Sequence, residues 1–322
     1  MRRRATAVAF AILILLSSVL AAPKKEKSNA ATLPARVFAP YIDLAKATST
    51  LEQIHVASGT KYFTLAFIVS GGGCVPAWGG NLPVATDTAI AGQIADLRKA
   101  GGDVIIAFGG QAGQELGVTC PDVPSLQAAY QSVIDKYKVK QIDLDVEGDA
   151  IDNQASNDRR SQALTKLVAA NPGLRISYTL PVFPSGLIPS GMTLLKSAVT
   201  YKTPVHVVNL MTMDYGNSVD AGGMATNAIS AVNGTLGQVK SIGLKTNIGV
   251  TPMIGMNDSL GETFSLADAD TLVKFASAHH DVALLSFWSV GRDSGSCVGQ
   301  VSPTCSGVAQ KDWEFSKTFQ KF

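Results

Sequence analysis

Eight short apolar runs recur along the chain, separated by stretches with helical spacing, and this alternation limits the fold more than any other feature. The runs lie near 36–42 (RVFAPYI), 62–69 (YFTLAFIV), 103–108 (DVIIAF), 141–147 (QIDLDVE), 174–180 (LRISYTL), 205–211 (VHVVNLM), 246–251 (TNIGVT) and 282–288 (VALLSFW). Helical spacing follows at 88–100, 125–138, 158–170, 223–242, 266–279 and 309–320, and less regularly near 44–57 and 190–201. Strands rich in β-branched residues that alternate with helices make parallel βαβ units. Eight of them in 322 residues, 46% hydrophobic, predict an α/β fold, a single (β/α)8 TIM barrel over 36–322. A doubly wound open sheet is the alternative. It is disfavoured because no G-x-G-x-x-G follows the first run, and FGGQAG at 108–113 is only a glycine-rich turn.

The fourth run raises a problem. In KQIDLDVEG, 140–148, Asp143, Asp145 and Glu147 alternate with Ile142, Leu144 and Val146. On a strand, alternate side chains share a face, so three like charges line up on an interior strand of a barrel. Each costs several kcal/mol unless paired or hydrogen-bonded. The opening of an EF-hand calcium loop is one bland explanation, but its twelfth position would be Gln154 and its apolar spacing suits a strand. A solvated edge strand is another, and the fourth of eight strands is not an edge. Function explains the cluster better. Crowded carboxylates keep one group protonated near neutral pH, which makes a general acid. Glu147, furthest along the strand, is expected at the barrel mouth, with Asp145 next inward and Asp143 deepest.

Charge and cysteines narrow the setting. MRRR followed by ATAVAFAILILLSSVLAA reads as a basic then apolar export signal over 1–22, with an uncleaved membrane anchor as the alternative; a polar linker spans 23–35. Arg2, Arg3 and Arg4 removed from 27 basic residues leave 24 against 25 acidic, a net of −1. Nucleic acid is therefore not expected as a partner. Nor is a membrane, once the signal is cleaved, and the protein is expected to be secreted and extracellular. Four cysteines, Cys74, Cys120, Cys297 and Cys305, allow three pairings, of which Cys297–Cys305 is the natural local one. No C-x-x-C occurs, and His55, His206, His279 and His280 show no ligand spacing. No metal or other cofactor is expected, and His279–His280 reads as a solvated or capping feature.

The motif DLDVE, 143–147, resembles the D-x-D-x-E core of the family 18 glycoside hydrolases, which include chitinases. VIIAFGG at 104–110 is similar to that family's third-strand motif, NLMTMDYG at 209–216 to its sixth-strand Met/Asp/Tyr motif, and LLSFWSVGRD at 284–293 to its eighth strand. YTLPV, GVTPMIG and CSGVAQKDWEFS look like the secreted microbial chitinase branch.

The resemblance implies a substrate-assisted, retaining cleavage of β-1,4 links between N-acetylglucosamine units, an exception to the two-carboxylate scheme. Glu147 is then the acid and base, Asp145 the residue that orients the acetamido group, and Asp143 their partner. It also implies substrate contacts from Met213, Asp214, Tyr215 and Trp288, the last as the floor of the sugar pocket. Three departures from the family pattern stand out: Lys140 replaces an acid at the head of the motif, Ala107 a serine on the third strand, and Tyr215 follows Asp214 where in many relatives a tyrosine precedes it.

A lectin-like barrel that binds chitin or another glycan without turnover is the rival expectation, and a barrel hydrolase for a different glycan is a third. Chitin or its oligosaccharides are the expected partner of a monomeric, endo-acting enzyme. With nothing after the last helical stretch, action on soluble or exposed chains is expected. Asn233-Gly-Thr and Asn257-Asp-Ser are glycosylation sequons, the second expected too near the cleft to be modified.

Overall fold

The first strand pairs with the last, so the sheet closes. In the computed structural model, which describes residues 33–216, 219 and 223–322, β1 runs in two pieces, Val37–Phe38 and Tyr41–Asp43. The proposed export signal and most of the linker, 1–32, lie outside the described residues. The remaining strands are β2 (Tyr62–Ser70), β3 (Asp103–Gly109), β4 (Gln141–Asp145) and β5 (Arg175–Phe183). They are followed by β6 (Val207–Met211), β7 (Asn247–Thr251) and β8 (Val282–Leu285).

Val37 stands beside Leu284 of β8, Tyr41 stands beside Thr64 of β2, and every other neighbouring pair around the ring is also parallel. Pro40, which has no N–H to donate, sits at the break in β1. The carbonyl of Pro40 still accepts from Thr64 N at 2.9 Å, and Ala39 N donates to Leu285 O at 2.9 Å, so the ladder carries across it. This closed ring excludes the doubly wound alternative.

Among the described residues, eight helices of six residues or more pack outside: α1 (Leu51–Ser58), α2 (Ala89–Lys99), α3 (Val123–Tyr137) and α4 (Gln154–Ala170), then α5 (Pro189–Thr200), α6 (Met224–Ser241), α7 (Leu266–Ala278) and α8 (Glu314–Phe319). Three of them start more than two residues from where their spacing suggests. α8, expected from 309, starts at Glu314 because Trp313 before it has left-handed backbone, φ 64°. For α1 and α4 the reason is capping. α1 begins at Leu51 rather than near 44, because Thr50 and Gln53 form a reciprocal capping box. α4 begins at Gln154, four residues early, because Asn153 Oδ1 accepts from Ser156 N at 3.0 Å. No described helix is long and apolar enough to cross a membrane.

Strand residues at alternate positions divide between two environments. Ile142 and Leu144 belong to the main core between strands and helices. The inward set is layered: Val37, Ile105, Val207 and Leu284 form an apolar layer low in the barrel, and Tyr41, Ala66 and Ala107 pack with Phe67 and Trp288 near the top. Between them lie Asp143, Ser177, Thr179 and Asn209, all buried. The barrel interior is thus polar at mid-height, not apolar throughout as a barrel of this class usually is.

Two disulfides pin loops at the mouth side. Cys74–Cys120 joins the loop after β2 to the segment after β3 across 46 residues, and Cys297–Cys305 closes a loop of 8. Chain-entropy scaling gives about 4 kcal/mol for the first and about 2.5 kcal/mol for the second. Serine pairs at each bridge should therefore lower the urea midpoint in that order. A larger loss at Cys297–Cys305 would count against loop length as the source.

Candidate active site

Tyr41, Ser177 and Thr179 converge on one buried carboxylate. Asp143 Oδ2 accepts from Tyr41 Oη at 2.9 Å and Thr179 Oγ1 at 2.8 Å, and Oδ1 accepts from Ser177 Oγ at 2.6 Å. Burial pushes the Asp143 carboxyl up to about 6, and those hydroxyls hold it from rising further. Behind Thr179 the network continues, Asn209 Nδ2 donating to Thr179 Oγ1 at 2.9 Å and Thr251 Oγ1 to Asn209 Oδ1 at 2.9 Å. The missing serine at 107 therefore leaves no gap: Ala107 packs with Tyr41, and β1 and β5 supply the hydroxyls. Lys140 is exposed at the foot of β4, away from the cluster.

Asp145 is the next inward residue, 5% exposed, with Oδ1 lacking a hydrogen-bond partner among the described residues. Burial pushes it well above the carboxylate range, and the charges of Glu147 and Asp143 add to the push. The strand ladder ends one residue later, where Val146 N donates to Thr179 O at 3.1 Å. Glu147 lies just past that end, half-buried at the mouth. Burial raises its carboxyl, a bond with Asp145 opposes the rise, and the charge of Asp214 supports it. Two carboxyls in contact hold one proton between them more readily than they hold none.

The end of β4 is set by a glycine on β3. Gly109 has φ +93°, and a Cβ there would overlap the carbonyl oxygen of Asp145. Only glycine permits that approach, and it lets Gly110 N donate to Asp145 O at 3.0 Å.

Asp145 and Glu147 line a cleft of about 730 Å³ together with Tyr41, Phe67, Met213, Asp214 and Trp288. Trp288 stacks on Phe67 at 5.6 Å between centroids and 18° between planes, so one face is held and the ring is a preset platform. A second cleft of about 510 Å³ adjoins across Met253, Asp258 and Trp288. Asp214 has left-handed backbone, φ +50°, and its Oδ1 accepts from Ser259 N at 2.7 Å. Burial raises its carboxyl too, against the pull of that bond.

Asp145 and Glu147 of the expected cluster thus share one cleft with Met213, Asp214 and Trp288, while Asp143 does not line it and is buried. Tyr215 does not: its ring is 4% exposed and packs in the main core, so direct substrate contact from it is corrected. The sequon at Asn257 is buried, its amide donating to Met253 O at 2.9 Å and Gly255 O at 3.0 Å.

Sequence reasoning missed Tyr41, Ser177, Thr179, Asn209 and Thr251, and the loop residues Asp258 and Glu262. One signal was available, since Ser177 and Thr179 alternate within RISYTL and so share a face.

No protein-family model matches the chain. It is similar to the catalytic domain of a hyperthermophilic chitinase from Pyrococcus furiosus, at 36% identity and a TM-score of 0.81, covering 91% of this chain and 96% of that one. An Escherichia coli (strain K12) protein named "Probable bifunctional chitinase/lysozyme" is 33% identical over 313 residues, 90% of this chain and 35% of that protein. Endochitinase 11 of Metarhizium anisopliae is 36% identical over 194 residues, 58% of this chain and 36% of that protein. The chain thus spans about a third of the length of these two curated relatives. A family GH18 chitinase catalytic domain from a fern shares the fold at 14% identity and a TM-score of 0.57, covering 88% of this chain and 97% of that one.

Proposed function

The chain belongs to the family 18 glycoside hydrolases, and we propose that it cleaves β-1,4 links between N-acetylglucosamine units of chitin, with retention of configuration. The observation that carries this is the pair of carboxyls at the end of β4, Glu147 at the mouth of the cleft and Asp145 just inside it, both pushed upward by burial. Glu147, protonated, gives its proton to the glycosidic oxygen as the bond to the anomeric carbon breaks. The acetamido oxygen of the same sugar closes on that carbon and forms an oxazolinium ring. Asp145 accepts the acetamido N–H, and its negative charge stabilises the ring. Water then attacks the anomeric carbon, Glu147 takes its proton, and the ring opens. No protein nucleophile enters, which fits a cluster on one strand rather than two carboxylates facing across a cleft.

Asp143, tied to three hydroxyls, is a charge and proton partner for Asp145. Trp288 offers its free face to the sugar, where apolar ring area favours a pyranose, and Met213 and Asp214 border the acetamido side. The adjoining cleft across Trp288 favours longer chains and internal cuts. Residues 36–322 form the catalytic unit in this proposal, exported by the leader at 1–22; the two disulfides suit an oxidising compartment.

The test is hydrolysis of N-acetylglucosamine oligomers with the product anomer followed by NMR. β-Anomer appearing first is expected. Initial α-anomer would sink the substrate-assisted route, and tight binding without cleavage would make this a lectin-like barrel.

A further inference from the structure

A short hairpin beyond β7 grips the turn that carries Asp214. Its two arms, Gly255–Met256 and Thr263–Phe264, pair antiparallel, and Glu262 lies immediately before the second arm. Glu262 is 3% exposed. Its Oε2 accepts from Tyr215 N at 3.1 Å and its Oε1 from Gly216 N at 2.8 Å, and the N–H of Asp214 also points to it. Asp214 and Gly216 both have positive φ, +50° and +82°. Successive N–H groups in such a turn form a concave nest that holds an anion, and here the anion is a side chain of the same protein.

The same hairpin reaches the side chain of Asp214 through Ser259 N. The hairpin itself is fastened from below. Met256 N donates to Ser306 O at 2.8 Å, and the buried Arg292 donates to the carbonyls of Ile254, Met256 and Ser302.

We propose that Glu262 is a positioning residue for the active site: its carboxylate, seated in the nest at 214–216, fixes where Asp214 stands in the cleft it shares with Glu147. A surface loop has no need of a buried carboxylate that fills three backbone N–H groups. A turn that must keep one acid at a set distance from another does. Glu147 is faced by Asp145 from its own strand and by Asp214 from the turn after β6. Asp214 in turn is faced by Asp258 and Glu262 of the hairpin and by Arg292 after β8. Loosening the nest lets Asp214 swing into solvent, and the proton on Glu147 is then held less firmly.

Glu262→Gln keeps the size and removes the charge, so one N–H of the nest meets an amide NH2 instead of an oxygen. The titration of Glu147, followed by carboxyl 13C NMR and assigned with Glu147→Gln, is expected to move down by roughly half a pH unit, part of the way to its midpoint in Asp214→Asn. On the proposed function, kcat for N-acetylglucosamine oligomers should fall about tenfold to a hundredfold, with KM changing less. An unmoved Glu147 midpoint with unchanged kcat overturns the proposal, even if the variant melts earlier, because a merely structural tie would lower only the melting temperature. Should Glu262→Gln fail to fold, Glu262→Asp keeps the charge and withdraws it by one methylene. It is expected to give a smaller shift in the same direction, and none would be equally fatal. The NMR arm does not need turnover, so a wild-type protein that cleaves nothing refutes the proposed function while the positioning role is still decided.

Discussion

Glu147→Gln is expected to lower oligomer hydrolysis by about 10²–10⁴-fold, the usual cost of losing a general acid, with oligomer binding kept. The substituted amide fills the same place at the end of β4 and can still donate a hydrogen bond to a glycosidic oxygen, but it cannot transfer a proton. A loss of less than about tenfold would move the acid elsewhere. On the proposed mechanism, in which only protonated Glu147 serves the first step, the wild-type rate should fall as pH rises through its elevated midpoint.

The same shift predicts a stability change of defined sign. Glu147 titrates higher in the folded chain than in the unfolded one, where a glutamate titrates near about 4.3. Between those two points the folded state binds more protons, so its stability is full below the unfolded value and is lost as pH rises through the folded one. An amide in that place does not titrate. The Glu147→Gln variant should therefore melt later than the wild type at pH 7, and the difference should vanish near pH 4. A variant less stable than wild type at pH 7 would mean that Glu147 is not held in an unfavourable charged state.

This cluster was legible because its spacing contradicts its surroundings. Three acids at alternate positions of an apolar strand have no cheap place in a barrel, and β4 puts Asp143 and Asp145 on the inward face. The barrel was legible for a related reason: period-2 and helical patterns alternate with little interruption. What stayed hidden depends on contacts between distant segments. Tyr41 in RVFAPYI looks like any core tyrosine until β1 closes the ring and brings its hydroxyl to Asp143, 102 residues on. Glu262 sits in SLGETF, a polar stretch that reads as solvated loop, and is buried only because the turn at 214–216 folds over it. Tyr215 was misplaced for the converse reason. A motif gives order along the chain, but the left-handed residue Asp214 decides which neighbour faces the cleft.

Arg160 is a further case of hidden burial, and its ion pair carries a large expected loss of stability. In NDRRSQ it reads as a solvated helix face, yet its side chain on α4 is 0% exposed and pairs with Glu115, 4% exposed, at 2.6 Å. Asn157 Oδ1 accepts from Arg160 Nη1 at 2.7 Å and Ser156 Oγ from Nη2 at 2.9 Å, while Tyr130 Oη donates to Glu115 Oε1 at 3.2 Å. Glu115 belongs to the segment after β3, between the Gly109 turn that meets Asp145 and the cysteine bridged to Cys74.

Glu115→Ala leaves a guanidinium buried without its counter-charge and is expected to cost about 3–5 kcal/mol by urea unfolding. The pair itself need not be stabilising, because desolvating two ions offsets most of their attraction. Replacing both, Glu115→Leu with Arg160→Met, should therefore recover most of what either single change loses. If the double variant is instead as unstable as the sum of the singles, the two residues act independently, and the loss at Glu115 comes from its packing against the Gly109 turn and not from the stranded charge.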